Sequence, residues 1–414
     1  MSEKSGKTRS SKAFQAVLIF GLISLFADIV YEGARSTSGQ YLQLLGANAT
    51  AVGFIVGVGE FLAYFLRLLA GTAADKSRKY WPFIFAGYGM LIVVPMMGIT
   101  SEWKFVLAFV MSERIGKALR NPAKDTILSH VAEGEVGIGI AFGIQEALDQ
   151  LGAASGPLVF ATVFRVFGKS GLSEYQHSFR VMTIPYALMM LVIYAAYRKV
   201  KKDKLFELGE IKRGADEKMQ KIFWIYTLFT FFTLLGFANF PLIGYHLKYQ
   251  GILTDTQITL LYSFTMIVDA VVALIIGYMY DKVKQRTGNK QGGILVLLFV
   301  PFATTLIAYL ALGTSLVSIV IGLFFYGAVM GAHETIMRSA IADITPLTKR
   351  GTGYGIFNTA YGAALFSGSA LFGFLYDRFS VSVIQVTVVV AQIAAIVVFF
   401  VMRKQISAGK ALAD

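Results

Sequence analysis

Long apolar stretches separated by short polar segments dominate this chain. Each stretch is continuous and does not alternate with polar residues, and about 20 apolar residues suffice for a membrane-crossing helix. A membrane β-barrel would instead alternate apolar and polar positions. The pattern predicts an all-α membrane protein with twelve transmembrane helices, at 13–44, 51–74, 81–100, 105–128, 136–167, 179–197, 222–247, 256–280, 293–312, 316–341, 352–375 and 381–402.

Composition agrees with a membrane location. The 414 residues are 56% hydrophobic and 15% charged, whereas charged residues form about a quarter of a soluble domain. Cysteine is absent, and the four histidines do not pair at metal-ligand spacing. These counts exclude a disulfide framework, a thiolate nucleophile and a cysteine-ligated metal.

The net charge is +13, and the positions of the basic residues indicate the orientation of the chain in the membrane rather than nucleic-acid binding. Most Lys and Arg residues lie in loops on the same side as the N-terminus, and such loops face the cytoplasm. We therefore expect a multi-pass protein of the cytoplasmic membrane with both termini in the cytoplasm. The opposite loops carry six basic residues, namely Lys104, Arg165, Lys169, Arg180, Lys248 and Arg378.

The longest loop, 198–221, contains nine basic and five acidic residues and follows the sixth span. It divides the chain into an N-terminal six-helix bundle at 1–197 and a C-terminal six-helix bundle at 222–414. Such a basic segment suits a solvated linker close to anionic lipid headgroups. A regulatory role is the alternative.

The phrase G-x-x-x-D-K occurs twice, 206 residues apart, and each copy ends an apolar run and begins a basic stretch. Further glycines repeat in the same order in both parts of the chain. Two related halves are typical of transporters in which one half rocks against the other around a central site. The two copies consist of Gly71, Asp75 and Lys76, and of Gly277, Asp281 and Lys282.

Together these features resemble the major facilitator superfamily of transporters. The loop between the second and third spans resembles the family signature G-x-x-x-D-[RK]-x-G-[RK]-[RK]. Arg78 occupies the position where the family has glycine, and Tyr80 replaces the last basic residue. The resemblance implies a gate latch in which Asp75 bridges to neighbouring helices. Topological anchoring by the basic residues alone is the alternative.

The fifth span contains Gly143-x8-Gly152-x3-Gly156-Pro157, which resembles the motif of drug–proton antiporters in this family. Glycines allow close helix packing, and an internal proline permits a kink. The resemblance favours export, while ordinary glycine-rich packing is the alternative reading. In the fourth span, Arg114 resembles the buried arginine of the family.

Ionisable residues inside a membrane cost about 2.5–3.5 kcal/mol each on insertion scales, so each is a functional candidate. Asp28, Glu32 and Arg35 share one helical face, with Tyr31 beside them. Asp28 and Glu60 lie near the middle of their spans without a base one turn away on the same face. We therefore predict proton coupling or substrate binding at both. The other candidates are Glu113, Arg114, Asp269 and Glu334.

A carboxylate buried without a full partner takes up a proton more readily, and a cationic substrate would compete for the same charge. The first half holds six buried or half-buried acids against three arginines, so we expect the proton chemistry there. The alternative for each acid is a static salt bridge. The candidate pairs are Glu32–Arg35, Glu60–Arg67 and Glu113–Arg120.

Aromatic and amide side chains in the spans are candidates for a cavity wall that suits amphipathic ligands. For each aromatic residue, a lipid-facing position is the alternative. The predicted cavity-lining residues are Tyr31, Tyr64, Asn239, Phe357, Asn358 and Tyr361.

These observations predict proton-coupled export of a small amphipathic or cationic compound by alternating access. A proton or cation gradient would supply the energy without a cofactor. The expected partners of this monomer are the substrate, protons and the lipid bilayer, but no nucleic acid. One alternative is an organic-anion transporter in which Arg35, Arg67 and Arg114 clamp the substrate; another is a metal or siderophore exporter. An enzyme is not expected, because the sequence contains no Ser-His-Asp order, metal cluster or nucleotide-binding loop.

Overall fold

The computed structural model describes residues 2–132, 136–168, 171–206, 219–288, 291–345 and 350–411. Within these ranges the chain forms twelve helical segments and no β-strand. Ten of the described segments are long and apolar enough to cross a membrane by length and composition. The predicted all-α membrane fold with twelve helices is therefore confirmed.

The helices follow one another with short connections. The first six are α1 (Ser2–Leu44), α2 (Ala49–Ser77), α3 (Tyr80–Ile99), α4 (Trp103–Ala132), α5 (Ile138–Phe167) and α6 (Leu172–Lys202). The last six are α7 (Lys221–Tyr249), α8 (Asp255–Thr287), α9 (Gly292–Leu310), α10 (Leu316–Ile344), α11 (Arg350–Arg378) and α12 (Val381–Ala411). Four of them, α3, α6, α7 and α9, contain a break or a 3₁₀ segment.

Local chemistry explains several helix ends. The Asn48 side chain accepts a hydrogen bond from the Ala51 amide at 2.9 Å, which caps the start of α2. Gly168 ends α5 with φ 71°, a conformation that costs glycine little because it has no Cβ. The break in α7 is capped in the same way as α2, since Asn239 Oδ1 accepts from the Leu242 amide at 3.1 Å.

The two remaining helices, α4 and α11, are long but less apolar. The sequence of α4 contains charges along most of its length, among them Glu113, Arg120 and Lys124, and these three side chains are buried. A helix with this many charges cannot present them to lipid. These charged side chains of α4 therefore lie inside the protein and not against lipid.

Contacts divide the chain into two compact units. Unit 1 comprises Met1–Leu45, Leu66–Ile211 and Asp255–Ser263, and unit 2 comprises Gly46–Phe65, Lys212–Thr254 and Phe264–Asp414. The beginning of α2 thus belongs to unit 2, and the beginning of α8 to unit 1. The boundaries predicted at 197 and 222 remain predictions, because contacts rather than chain order define these units. Within the predicted linker, residues 207–218 lie outside the described residues.

Candidate coupling and substrate sites

Three helices of unit 1 bring charged side chains of both signs together. We call this group the unit 1 charge cluster. Several of its members are almost completely buried, and ion pairs or electrostatic interactions connect them. Its members are Asp28, Glu32 and Arg35 of α1, Glu113, Arg114, Lys117, Arg120 and Lys124 of α4, and Asp149 of α5.

Glu32 is held from two directions. Its Oε1 lies 3.4 Å from Arg35 Nη1, and its Oε2 accepts a hydrogen bond of 2.5 Å from the Tyr262 hydroxyl of α8. The static pair predicted for Glu32 and Arg35 is thus present. Sequence reasoning did not connect Tyr262 to Glu32, because 230 residues separate the two.

Glu113 also has basic partners. Its carboxylate lies 3.5 Å from Arg114 Nε and 3.7 Å from Arg120 Nη2. Arg120 additionally donates to the Gly87 carbonyl at 3.4 Å. The predicted static pair of Glu113 and Arg120 therefore forms, and it joins α4 to α3. The predicted pair of Glu60 and Arg67 remains a prediction.

Asp28 differs from these two glutamates. Among the described residues, its carboxylate forms no hydrogen bond and no ion pair. Its electrostatic neighbours are two acids, Asp149 and Glu32, and two bases, Lys117 and Lys124. A carboxylate placed among like and opposite charges without a direct partner can gain or lose a proton without breaking a salt bridge.

Two lysines of α4 correct the charge balance predicted for the first half. Lys117 Nζ lies 3.9 Å from the centroid of the Tyr31 ring, and Arg114 donates to the Tyr31 hydroxyl. Lys124 Nζ donates to Ser24 Oγ at 2.7 Å. The count of six acids against three arginines in the first half left out both lysines, which lie inside this cluster. Their spacing of seven residues placed them on one face of α4, and sequence reasoning did not use that signal.

A second group, which we call the unit 2 aromatic cluster, consists of Glu60, Tyr64, Glu334, Phe357 and Tyr361. The ring centroids of Tyr64 and Tyr361 lie 4.6 Å apart, and a hydrogen bond joins the two hydroxyls. The ring centroid of Phe357 lies 6.2 Å from that of Tyr361. Glu60 and Glu334 both act electrostatically on Tyr361. Helices α2, α10 and α11 thus combine two acids with three aromatic rings.

Burial differs between the two acids of this cluster. Glu60 is 8% exposed, whereas Glu334 is exposed. The role predicted for Glu334 in proton coupling or substrate binding remains a prediction. Glu334 follows His333 on α10, and it is His333 that occupies the buried position.

Two polar side chains of α10 and α11 contain unused hydrogen-bonding atoms, His333 beside the aromatic cluster and Asn358 next to Phe357 in the sequence. His333 lies 6.1 Å from the Tyr361 ring. Within the described part of the chain, neither His333 Nε2 nor Asn358 Oδ1 has a hydrogen-bond partner, although both atoms are buried. Because such groups are costly to leave unsatisfied, they are candidates for contact with a bound molecule.

Two other predicted site residues, Asn239 and Asp269, lie in unit 2, and their predicted site roles remain predictions. Asn239 caps the second part of α7 and donates from Nδ2 to Ser369 Oγ at 2.5 Å. Its amide is therefore engaged within the protein at both ends. Asp269 is 2% exposed and lies where α8 packs against Gly331 of α10.

The first copy of the gate motif ends α2. Asp75 is exposed and accepts a hydrogen bond of 2.8 Å from the Tyr80 hydroxyl. Tyr80 is the residue that replaces the last basic position of the signature. Gly71 faces Pro122 of α4, and Lys76 is exposed. The contact from Asp75 therefore reaches the beginning of α3, while a latch function remains a prediction.

The second copy lies within α8, which continues to Thr287. Asp281 and Lys282 are both exposed, and Lys282 Nζ lies 5.2 Å from the Tyr278 ring. Gly277 faces Thr335 of α10. Both copies are helical, but α2 ends at Ser77, one residue after the first copy, whereas α8 continues five residues beyond the second.

An ion pair at this end of unit 2 involves residues that the motif does not contain. Lys284 Nζ lies 2.7 Å from Asp343 of α10, and the Tyr280 hydroxyl donates to the same carboxylate at 2.8 Å. Sequence reasoning concentrated on Asp281 and missed this pair. The signal was available, since Lys284 lies one helical turn beyond Tyr280 on the same face.

Arg78 has a φ of 54°, in the left-handed region that the family signature fills with glycine. A residue with a Cβ is disfavoured there by roughly 1–2 kcal/mol. We expect Arg78→Gly to raise the free energy of unfolding by about 1 kcal/mol, measured by thermal or denaturant unfolding in detergent. Lys79→Gly is the matched control, because Lys79 has a φ of −116°. An equal gain in both variants would contradict the conformational argument.

The antiporter-like motif of α5 packs against α1. A Cβ at Gly152 would meet the backbone of Leu25, and a Cβ at Gly156 would meet the backbone of Ile29 and Gly33. These two glycines therefore permit close approach of the helices, as the packing alternative holds. The association of the motif with antiport remains a prediction.

The rest of the motif behaves differently. A Cβ at Gly143 would find no described atom within 4 Å. Pro157 is buried, and α5 continues through it from Ile138 to Phe167. Only part of the motif therefore serves the contact with α1.

Comparison with known proteins identifies the family. The sequence profile of the Major Facilitator Superfamily matches residues 14–299 and 228–413. An uncharacterized protein of Mycobacterium tuberculosis strain H37Rv is 36% identical over 405 residues, covering 96% of this chain and 95% of that protein. An uncharacterized MFS-type transporter of Methanocaldococcus jannaschii is 24% identical over 370 residues, covering 87% and 88%.

Solved structures share the fold. A POT family transporter in complex with a thioalcohol-conjugated peptide is similar with a TM-score of 0.73 at 13% identity, covering 94% of this chain and 95% of that one. The nucleoside transporter NupG is similar with a TM-score of 0.65 at 14% identity, covering 94% and 98%. These low identities show the fold alone. With the profile match over most of its length, the chain belongs to the major facilitator superfamily and is a secondary transporter.

Proposed function

We propose that this transporter exports a small amphipathic or cationic compound across the cytoplasmic membrane in exchange for protons. In this proposal it acts as a monomer, with both termini in the cytoplasm and no cofactor. The observation that carries it is the unit 2 aromatic cluster, in which two carboxylates accompany three aromatic rings. Aromatic faces and carboxylates both attract organic cations.

The parts of the aromatic cluster have complementary roles in substrate binding. The rings of Tyr64, Phe357 and Tyr361 supply apolar and cation–π contacts to the body of the substrate. Glu60 is 8% exposed, so its attraction for a positive charge is less screened than it would be in water. His333 Nε2 and Asn358 Oδ1 supply hydrogen bonds to a polar group of the substrate.

Proton coupling is assigned to Asp28 in the unit 1 charge cluster. Glu32 and Glu113 are compensated by arginines and serve as fixed structural charges. When Asp28 is deprotonated, the positive charges of Lys117 and Lys124 compensate its negative charge. Changing its protonation changes the net charge of the cluster, and in this way biases the conformational equilibrium of the transporter.

Transport by the purified full-length protein in proteoliposomes tests the proposal. An acidic vesicle interior should drive uptake of a lipophilic organic cation such as tetraphenylphosphonium. Dissipating the pH gradient at constant membrane potential should stop this uptake. Protein-free vesicles supply the control for passive entry. Uptake unaffected by the pH gradient would contradict proton coupling.

Neutralising the acids of the aromatic cluster tests the substrate class. We expect Glu60→Gln and Glu334→Gln each to weaken binding of the cation by roughly tenfold, since a charged hydrogen-bonding group contributes about 1.5–3 kcal/mol. Equilibrium binding to purified protein measures this effect. Glu102→Gln is the control, because Glu102 is exposed in the α3–α4 connection. Unchanged affinity in both cluster variants would refute the assignment.

One observation favours a second candidate, an organic-anion transporter. The unit 1 charge cluster contains five bases and four acids, so it could attract a carboxylate. Transport of a carboxylate that is lost on Arg35→Ala, without cation transport, would support this candidate. Among the described residues, no group of three or more His, Asp or Glu side chains could hold a metal ion.

A further inference from the structure

A groove in unit 1 lies apart from both candidate sites. It has a volume of about 1320 Å³, and the beginning of α1 and the end of α6 form its walls. The apolar run of α1 begins at Ala13, and α6 ends at Lys202. The groove therefore opens where two membrane-crossing segments end, at the depth of the lipid headgroups.

The charges of the groove are strongly unbalanced. Five of the residues that line it are basic and one, Asp203, is acidic. Such an excess at a membrane boundary attracts anionic groups, by about 1 kcal/mol per Lys or Arg. The five basic residues are Lys12, Arg198, Lys199, Lys201 and Lys202.

Asp203 compensates only part of this charge. Its carboxylate lies 3.1 Å from Lys12 Nζ and 3.3 Å from Lys199 Nζ. Desolvation opposes ionisation of Asp203, but the hydrogen bonds from both lysines outweigh it and hold the pKa of this carboxyl below its ordinary value. The carboxylate therefore stays ionised and occupied by these two lysines, and Arg198 and Lys201 remain exposed beside it.

The groove also offers apolar and aromatic surface. Ile19 and Ala195 line its wall. Leu191 and Tyr194, on the outer face of α6, are 66% and 52% exposed, and Arg198 lies 5.9 Å from the Tyr194 ring. A tyrosine beside a basic residue is typical of the membrane–water interface, where its ring contacts lipid acyl chains as well as headgroups.

We propose that this groove binds an anionic diacyl phospholipid. The lipid phosphate contacts Arg198, Lys201 and Lys202, while its acyl chains follow Ile19 and Leu191 toward the membrane core. Net positive charge selects an anionic headgroup over a zwitterionic one, and the adjoining apolar wall selects a lipid over a free anion. This site does not depend on the identity of the transported substrate.

Lipid binding to the purified full-length protein tests the proposal. Native mass spectrometry and thermal unfolding in detergent would compare dioleoyl phosphatidylglycerol, dioleoyl phosphatidylcholine and inorganic phosphate. The test variant is Arg198→Gln with Lys201→Gln, which leaves the pairs of Asp203 intact. The matched control is Arg403→Gln with Lys404→Gln, two exposed basic residues near the end of α12. Both variants lose two positive charges.

We expect phosphatidylglycerol to bind and stabilise the wild type and the control variant to the same extent. Its affinity for the Arg198→Gln, Lys201→Gln variant should fall roughly tenfold to thirtyfold, which corresponds to two basic contacts. Equal affinity in both variants would overturn the site. Equal binding of phosphatidylcholine would overturn the selectivity for anionic lipid, and equal stabilisation by inorganic phosphate would overturn the role of the acyl chains.

Discussion

Replacing Asp28 with asparagine should abolish proton-driven accumulation of substrate, down to the rate in protein-free vesicles. The carboxylate of Asp28 has no direct hydrogen-bond or ion-pair partner among the described residues, so an amide of the same size should not disturb the fold. An amide cannot take up or release a proton at this position. Exchange of labelled for unlabelled substrate without a gradient needs no net proton movement, and it should persist.

Paired assays on the same proteoliposomes measure this prediction, namely uptake driven by a pH gradient and exchange at equal pH. Glu102→Gln serves as the control for loss of a carboxylate in general, since that residue is exposed outside the spans. Wild-type accumulation by Asp28→Asn would refute the coupling role. If the variant loses both exchange and accumulation, Asp28 contacts the substrate instead of carrying the coupled proton.

Gly156→Ala is expected to reduce both stability and transport. The added Cβ would meet the backbone of Ile29 and Gly33 on α1, and backbone atoms cannot move aside as a flexible side chain can. Overpacking of this kind costs about 1–3 kcal/mol. Because Ile29 follows Asp28 directly, the displacement of α1 would also move the proposed proton site.

Gly143→Ala provides a matched control in the same helix and the same motif. A Cβ there meets no described atom within 4 Å, and alanine is favoured over glycine in a helix by about 1 kcal/mol. Thermal unfolding in detergent and transport in proteoliposomes should therefore leave this variant equal to the wild type or more stable. Equal losses in both variants would contradict the packing explanation of the motif.

The candidate site was only partly predictable from the sequence. The pairs of Glu32 with Arg35 and Glu113 with Arg120 could be predicted because they lie on one helix, where spacing fixes which side chains meet. The contact of Glu32 with Tyr262 joins helices that are 230 residues apart, and no local pattern records it. The burial of His333 rather than Glu334 depends on how α10 is rotated about its axis. The sequence does not reveal this rotation, because the two ionisable residues are adjacent.

The sequence by itself determined the fold class, because continuous apolar runs in a membrane can satisfy their backbone groups only as helices. It also indicated the family through its repeated phrase and its signature loop, and it predicted that Arg78 stands where glycine is preferred. Only the tertiary structure decided which charges compensate one another. Lys117 and Lys124 lie in the unit 1 charge cluster. Helix α2 ends directly after the first G-x-x-x-D-K copy, whereas α8 continues beyond the second. Ion pairing depends on the distances between side chains of different helices, and those distances exist only once the helices have packed.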